Sequence, residues 1–195
     1  AASTQASIDD VARRLVGNAE QQGGYRTVIV GEAPGMDVRE EAADLAGALA
    51  ASGRQIVLVD WSLDGEGFAP ALGLDPSPGI MDLLEGRATF ETVIRRLPEG
   101  DAHVVCCGHS ETGGKLDPAR VNLILDALDE AYDHIVVTGE HEAVRELFLA
   151  IEGRFDAGVL VADRRRTADD DGSFLGFQVT DIDVIRLDRG GAAQP

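Results

Sequence analysis

The chain is short of several things at once, and each shortage closes off a class of function. Cysteine occurs twice in 195 residues, at the adjacent positions Cys106 and Cys107. Neighbouring cysteines in an apolar run are badly placed to close a loop, so a disulfide-stapled secreted scaffold is excluded and the pair reads as small core residues of a reducing compartment. His103, His109, His134 and His141 have no metal-ligand spacing among themselves or with the cysteines, so no metal site is predicted. Aromatic residues make up only 5% of the chain. No apolar stretch approaches the roughly 20 residues of a bilayer-spanning helix. The start, Ala1 to Gln5, lacks the charged and hydrophobic regions of a secretory signal. The expectation is a soluble chain with no membrane insertion of its own; an alanine at position 1 leaves processing, or excision from a longer protein, both open.

Positive charge is the other shortage. Asp and Glu number 35 against 17 Lys and Arg, a formal net charge of -18. Such a surface repels phosphate backbones and anionic lipid headgroups, so nucleic-acid binding and polybasic membrane attachment are excluded as main functions. All the basic residues but one are arginine; the single lysine is Lys115. That count bears directly on the site below.

What is present is an ordinary globular composition, 44% hydrophobic with 23 Gly and 7 Pro. At this length one domain with its own core is expected. Apolar runs at Thr27 to Val30, Ile56 to Val59, His103 to Cys106, Ile135 to Val137 and Val159 to Val161 are continuous rather than alternating, the pattern of strands covered on both faces. Between them, helical periodicity covers about 8–21, 37–52, 79–95, 117–131 and 141–152. The alternation predicts an α/β fold: a doubly wound, mostly parallel sheet flanked by helices on both faces. Residues 1–24 read as an N-terminal helix with a Gly23-Gly24 linker, 25–189 as the α/β domain and 190–195 as a loose tail. The first helix either packs on the domain or projects toward a partner. A last strand is expected within 176–187, after an exposed loop running from Ala162 to Gly172 that holds Arg164, Arg165 and Arg166 beside Asp163 and Asp169 to Asp171.

In open parallel sheets the ligand site lies beyond the carboxyl ends of the strands, and the loop after the first strand is the usual phosphate cradle. Here that loop is Gly31-Glu32-Ala33-Pro34-Gly35-Met36-Asp37-Val38-Arg39, running into a helix. A working phosphate loop needs glycines for close backbone approach, a lysine for the outer phosphates and a hydroxyl for magnesium. Asp37 stands where a glycine belongs, Val38 where the lysine belongs and Arg39 where the hydroxyl belongs. Glu32, Asp37, Glu40 and Glu41 gather carboxylates around the helix N-terminus, which suits the helix dipole and repels a triphosphate. Arg39 is the one group there that can grip a phosphate.

These residues resemble the cytoplasmic P-loop domain of the bacterial tyrosine kinases and exopolysaccharide chain-length proteins (polysaccharide co-polymerases), close to the MinD/ParA group, over about residues 8–150. Of the family's xPGEGK[ST] loop the chain keeps Pro34 and Gly35. Of its Asp-x-Asp-Leu-Arg run after the second apolar strand it keeps Asp60 and Leu63, with Ser62 at the second acid and Asp64 at the arginine. Thr138 stands at the magnesium-facing Asp. Gly79 to Ala88, Gly-Ile-Met-Asp-Leu-Leu-Glu-Gly-Arg-Ala, is similar to the family's GLSDLLxGRA segment. The family's tyrosine-rich tail has no counterpart, since the only tyrosines are Tyr25 and Tyr132. The resemblance therefore implies a pseudokinase or pseudo-ATPase: an interaction module of exopolysaccharide synthesis or export, in the cytoplasm at the inner-membrane face. Its partners would be membrane-associated export proteins or a membrane segment of its own longer chain. Its vestigial nucleotide site comprises Gly31, Pro34, Gly35, Asp37, Val38, Arg39, Asp60, Ser62 and Thr138, with no cofactor and no catalytic residue. The family's Glu-x-x-Arg-x-x-Arg ring motif is matched by Asp10 and Arg13, with Val16 third, so homo-oligomerisation through residues 8–21 stays open. The alternatives are an atypical ATP/Mg-dependent kinase or ATPase using Arg39 and Asp60, and a MinD/ParA-like positioning regulator. Asp60 also reads as a strand-end carboxylate capping its loop, and Trp61 as a core-edge residue, a partner contact or a lid over the vestigial pocket.

Overall fold

The computed structural model describes residues 7–19, 24–62, 67–113, 115–163 and 173–189. In chain order the elements are α1 (Ile8–Ala19), β1 (Tyr25–Gly31), α2 (Arg39–Ala50), β2 (Ile56–Asp60), α3 (Ile80–Leu84), α4 (Phe90–Val93), β3 (Ile94–Arg96), β4 (His103–Val105), α5 (Pro118–Ala131), β5 (His134–Thr138), α6 (His141–Ala150), β6 (Ala157–Ala162), β7 (Ser173–Phe174), β8 (Phe177–Gln178) and β9 (Asp183–Asp188). Seven strands form one sheet in the order β3-β4-β2-β5-β1-β6-β9. Every neighbouring pair in it is parallel except β3 with β4.

The continuous apolar runs are explained by two cores, one on each face. Ile29, Leu58, Val136 and Val159 point to the layer that holds α1 and α2. Val28, Val30, Val57, Val59, Ile135 and Val137 point to the layer that holds α3, α5 and α6. Successive residues of one strand therefore bury into opposite layers, each such side chain contributing on the order of 1.5–3 kcal/mol. Helix α1 packs on the sheet: Val11, Ala12, Leu15 and Ala19 are buried, while Asn18 Nδ2 and Arg14 Nε donate to Asp183 of β9 at 2.8 and 2.9 Å. Its start is capped by Ser7, whose hydroxyl accepts from the Asp10 amide at 3.2 Å and donates to the Asp10 carboxylate at 2.9 Å. Arg13 and Asp10 pair with each other on its exposed side.

Two expected elements come out differently. The helix expected over 79–95 is α3, a turn, α4 and strand β3. Gly86, at φ 76°, ends α3, the Arg87 and Ala88 amides fold back onto the Asp82 carbonyl, and Thr89 starts a new turn by pairing with Thr92. The chain then joins β4 as an antiparallel hairpin arm through Gly100, at φ 90°. The strand expected over 176–187 is a hairpin followed by β9. Leu175 and Gly176, both at positive φ (53° and 79°), form the two-residue turn between β7 and β8, and β9 pairs in parallel with β6. Phe174 of that hairpin lies over β6 at Gly158, where a Cβ would come within 2.5 Å of the ring. Gly23, Leu63, Asp64, the segment 164–172 and the tail 190–195 lie outside the described residues.

His134, at the start of β5, is fully buried, with Nε2 sharing a 2.7 Å hydrogen bond with Thr27 Oγ1, an edge contact to Tyr25 and no partner for Nδ1. Burial, aided by the charge of Arg54, lowers its pKa to about 4. The folded value lies below the unfolded one, so the unfolded chain binds more protons between pH 6.5 and 4 and stability falls as pH drops through that window. About 3 kcal/mol should be lost across it, at 1.36 kcal/mol per unit. Urea denaturation at pH 7 and pH 4.5 checks this; a His134→Gln variant should flatten the dependence in that window.

Candidate functional site

Gly31, Asp60 and Thr138 stand at the carboxyl ends of β1, β2 and β5, which are adjacent in the sheet. All three lie in register with residues whose side chains enter the α2 layer, so this edge opens toward the loop that leads into α2. A cleft of about 200 Å³ lies there, lined by Gly35, Asp37, Val38, Arg39, Ser62 and Thr138 of the predicted set, together with Met36, Gly67, Gly139, Glu140 and His141. The last three sit in the loop after β5 and the first residue of α6; nothing in their sequence separates them from any other strand-to-helix turn. Gly31 lies behind the cleft, where a Cβ would collide with Met36, and Pro34 lies in the turn closed by the Met36 amide on the Ala33 carbonyl. Gly139 packs against the Trp61 backbone, and Trp61 is itself buried in the core rather than lying open as a lid.

The first turn of α2 supplies its own anion. The Arg39 amide donates to Asp37 Oδ1 at 3.0 Å. The Arg39 guanidinium holds the same carboxylate, Nε to Oδ1 at 2.9 Å and Nη2 to Oδ2 at 2.6 Å, and its Nη1 donates to the Gly67 carbonyl at 2.7 Å. The Arg39 side chain is the main reason the Asp37 carboxyl is held below its ordinary range. At this exposure the pair contributes no more than about 1 kcal/mol to stability. Its importance is positional, because the amide and the guanidinium that an external anion would use are already engaged.

Two more of the gathered carboxylates, Glu32 and Glu41, are paired from the far end of the chain. Arg186 Nη1 of β9 meets Glu32 Oε1 at 2.9 Å, and Arg189 Nε meets Glu41 Oε1 at 2.5 Å while also donating to the Asp37 carbonyl. Asp60 is fully buried and faces inward: Oδ1 accepts from the Ser62 amide and hydroxyl at 3.2 and 2.7 Å, and Oδ2 from the Phe68 amide at 2.6 Å. Gly67 is the residue over it, where a Cβ would clash with Oδ2 at 2.0 Å. Thr138 Oγ1 is buried without a hydrogen-bond partner. Among the described residues, no group of three His, Cys, Asp or Glu side chains is arranged to hold a metal ion.

The segment Gly79 to Ala88 forms a second polar centre. Asp82 accepts from the Gly79 amide and the Ser77 hydroxyl, both at 2.9 Å, from the His109 amide at 3.3 Å and from Arg87 Nη2 at 2.8 Å. Glu85 accepts from the hydroxyls of Ser110 and Thr112 and the amides of Glu111 and Thr112, and pairs with Arg87. Burial works to raise the Asp82 carboxyl, and the Arg87, Gly79, Ser77 and His109 donors outweigh it and hold it low. Gly79 permits close contact: a Cβ there would meet the Cys106 carbonyl and the Gly108 amide at 2.3 Å. This centre ties α3 to the loop after β4, a scaffold task rather than a chemical one.

No family model matches the chain. Among curated proteins it is 27% identical over 121 residues to the tyrosine-kinase-type protein EpsB of Ralstonia solanacearum, covering 60% of this chain and 16% of EpsB. It is 28% identical over 111 residues to the tyrosine-protein kinase ptk of Acinetobacter johnsonii, covering 56% of this chain and 15% of that protein. The chain thus corresponds to a small part of either relative. Among solved structures, the kinase domain of Escherichia coli ETK superposes with a TM-score of 0.73 at 18% identity, covering 96% of this chain and 78% of that one. The VpsO kinase domain gives 0.74 at 21% identity, covering 93% and 91%. The chain is thus similar to proteins named as tyrosine kinases, and its fold is the P-loop fold of the ETK and VpsO kinase domains. The same fold is seen in MinD of Pyrococcus horikoshii, solved with Mg-ADP, at a TM-score of 0.57 and 23% identity over 72% of this chain and 58% of that one. In this P-loop fold, Asp60 holds the loop between Ser62 and Phe68. Asp60→Ala should cost about 2–4 kcal/mol, since it removes charge-assisted bonds and strands a buried amide; chemical denaturation measures it.

Proposed function

We propose that the chain is a catalytically inactive P-loop module of exopolysaccharide synthesis or export that works by holding an assembly together rather than by turning over nucleotide. The observation that carries this reading is the Asp37 carboxylate on the α2 N-terminus, bonded to both the amide and the guanidinium of Arg39. A triphosphate entering there would have to displace that carboxylate and face Glu40 with no lysine to meet it, while Arg186 and Arg189 are already paired with Glu32 and Glu41. Thr138 offers a hydroxyl where an active relative would offer magnesium a carboxylate, and Asp60 is committed to its loop. On this reading no cofactor is bound, and Gly31, Pro34, Gly35, Asp37, Val38, Arg39, Asp60, Ser62 and Thr138 are the remains of a nucleotide site.

The setting is the one that the sequence resemblance implies; the relatives, named as tyrosine kinases, are several times longer than the matched stretch. The partner would be a membrane-associated export protein or a membrane-bound part of the same longer chain, with this module at the cytoplasmic face. No helix among the described residues is long and apolar enough to cross a membrane. The competing reading is an atypical kinase or ATPase built on Arg39 and Asp60. Incubation with Mg-ATP separates the two: the module should release no phosphate above buffer and acquire no phosphotyrosine, whereas an enzyme would do one or both and lose the activity on Arg39→Ala, a change at an exposed side chain.

A further inference from the structure

Away from the cleft, an apolar groove of about 350 Å³ lies between the C-terminal half of α6 and the chain that links β8 to β9. Its floor is Phe148, Phe177, Val179 and Ile182, and Leu149 stands on its rim with 55% of its surface exposed. Among the described residues only three large hydrophobic side chains are exposed; Leu149 is one, and Val184, two residues beyond Ile182, is another. The groove is rigidly backed, because the Phe148 ring stacks on Phe155 and Phe177 with interplanar angles of 13° and 12°.

Among the described residues around it, acidic side chains outnumber basic ones. Glu152 and Asp181 line the groove, and Glu142 and Glu146 are exposed on the helix that forms its wall. The nearby cation Arg145 is engaged, lying 4.9 Å over the Phe177 ring and donating to the Leu175 carbonyl. Arg154 reaches Glu152 at 3.7 Å. An apolar floor with an acidic border, on a chain of net charge -18, complements an amphipathic segment that carries apolar anchors on one side and Lys or Arg on the other.

We propose that this groove docks a basic amphipathic helix of a partner protein, its apolar residues against Leu149 and the Phe177 to Ile182 floor and its basic residues toward Glu142, Glu146, Glu152 and Asp181. The proposal deepens the reading of the chain as an interaction module, and it is tested with a peptide rather than a nucleotide, so either reading can fail without the other. Leu149→Asp discriminates sharply, since it removes the anchor while adding the sign of charge that attracts a basic peptide.

The probe is a fluorescently labelled 14-residue helix of leucine and lysine with the leucines on one side, alongside a scrambled peptide of identical composition, read by anisotropy with the whole chain. The amphipathic peptide should bind at least about tenfold more tightly than the scrambled one, and Leu149→Asp should weaken it by about tenfold. Glu146→Gln with Glu152→Gln should reduce both the affinity and its salt dependence. Leu149→Asp lies on the surface, and its thermal melt confirms that the fold is intact. Equal binding of the scrambled peptide, or unchanged or tighter binding to Leu149→Asp, would overturn the proposal by showing a diffuse charge effect. A dimer of the free chain that Leu149→Asp dissociates, seen by sedimentation equilibrium, would overturn it in favour of a second copy as the occupant.

Discussion

The contact between the Asp37 carboxylate and the first turn of α2 governs the carboxyl edge of the sheet. A parallel α/β sheet delivers helix N-termini to that edge, with amides that need an acceptor and a dipole that favours negative charge. Here the acceptor comes from two residues upstream, and the guanidinium of Arg39 closes over it and reaches on to Gly67. Gly67 in turn lies against Asp60, whose carboxylate holds Ser62 and Phe68. The loops after β1 and β2 are thereby joined to each other by these contacts.

That closure depends on the sheet's last strand. Glu32 and Glu41 would repel one another and Asp37 if left bare, and β9 brings Arg186 and Arg189 to them across the full length of the chain. The Asp82 and Glu85 centre shows the complementary side of the same economy. Its hydrogen bonds join α3 to the loop after β4 and involve none of the groups of the cleft.

The sheet was legible because burial on both faces forces consecutive apolar residues, and the runs at Thr27, Ile56, His103, Ile135 and Val159 carry that mark in any context. The helix expected over 79–95 was misjudged because its apolar spacing continues through Gly86 and Thr89, where a positive φ and a hydroxyl cap break it. The final hairpin was hidden for a related reason: a leucine at positive φ in the turn gives no Asn-Gly or Asp-Gly signal. Within the cleft, the loop after β1 was readable from position alone, and the gathering of acids there was plain. Their neutralisation by Arg186 and Arg189 was not, since no local pattern links residues about 150 apart. Nor does periodicity distinguish His134, a buried neutral imidazole, from the valines beside it.

The most direct test of the claim that Asp37 has replaced the phosphate is isothermal titration of Mg-ATP and Mg-ADP into the chain at low salt, where weak phosphate contacts are strongest. The account predicts no heat of binding up to millimolar nucleotide. Saturable binding at micromolar affinity would contradict it, and would mean that Arg39 leaves Asp37 to hold the nucleotide.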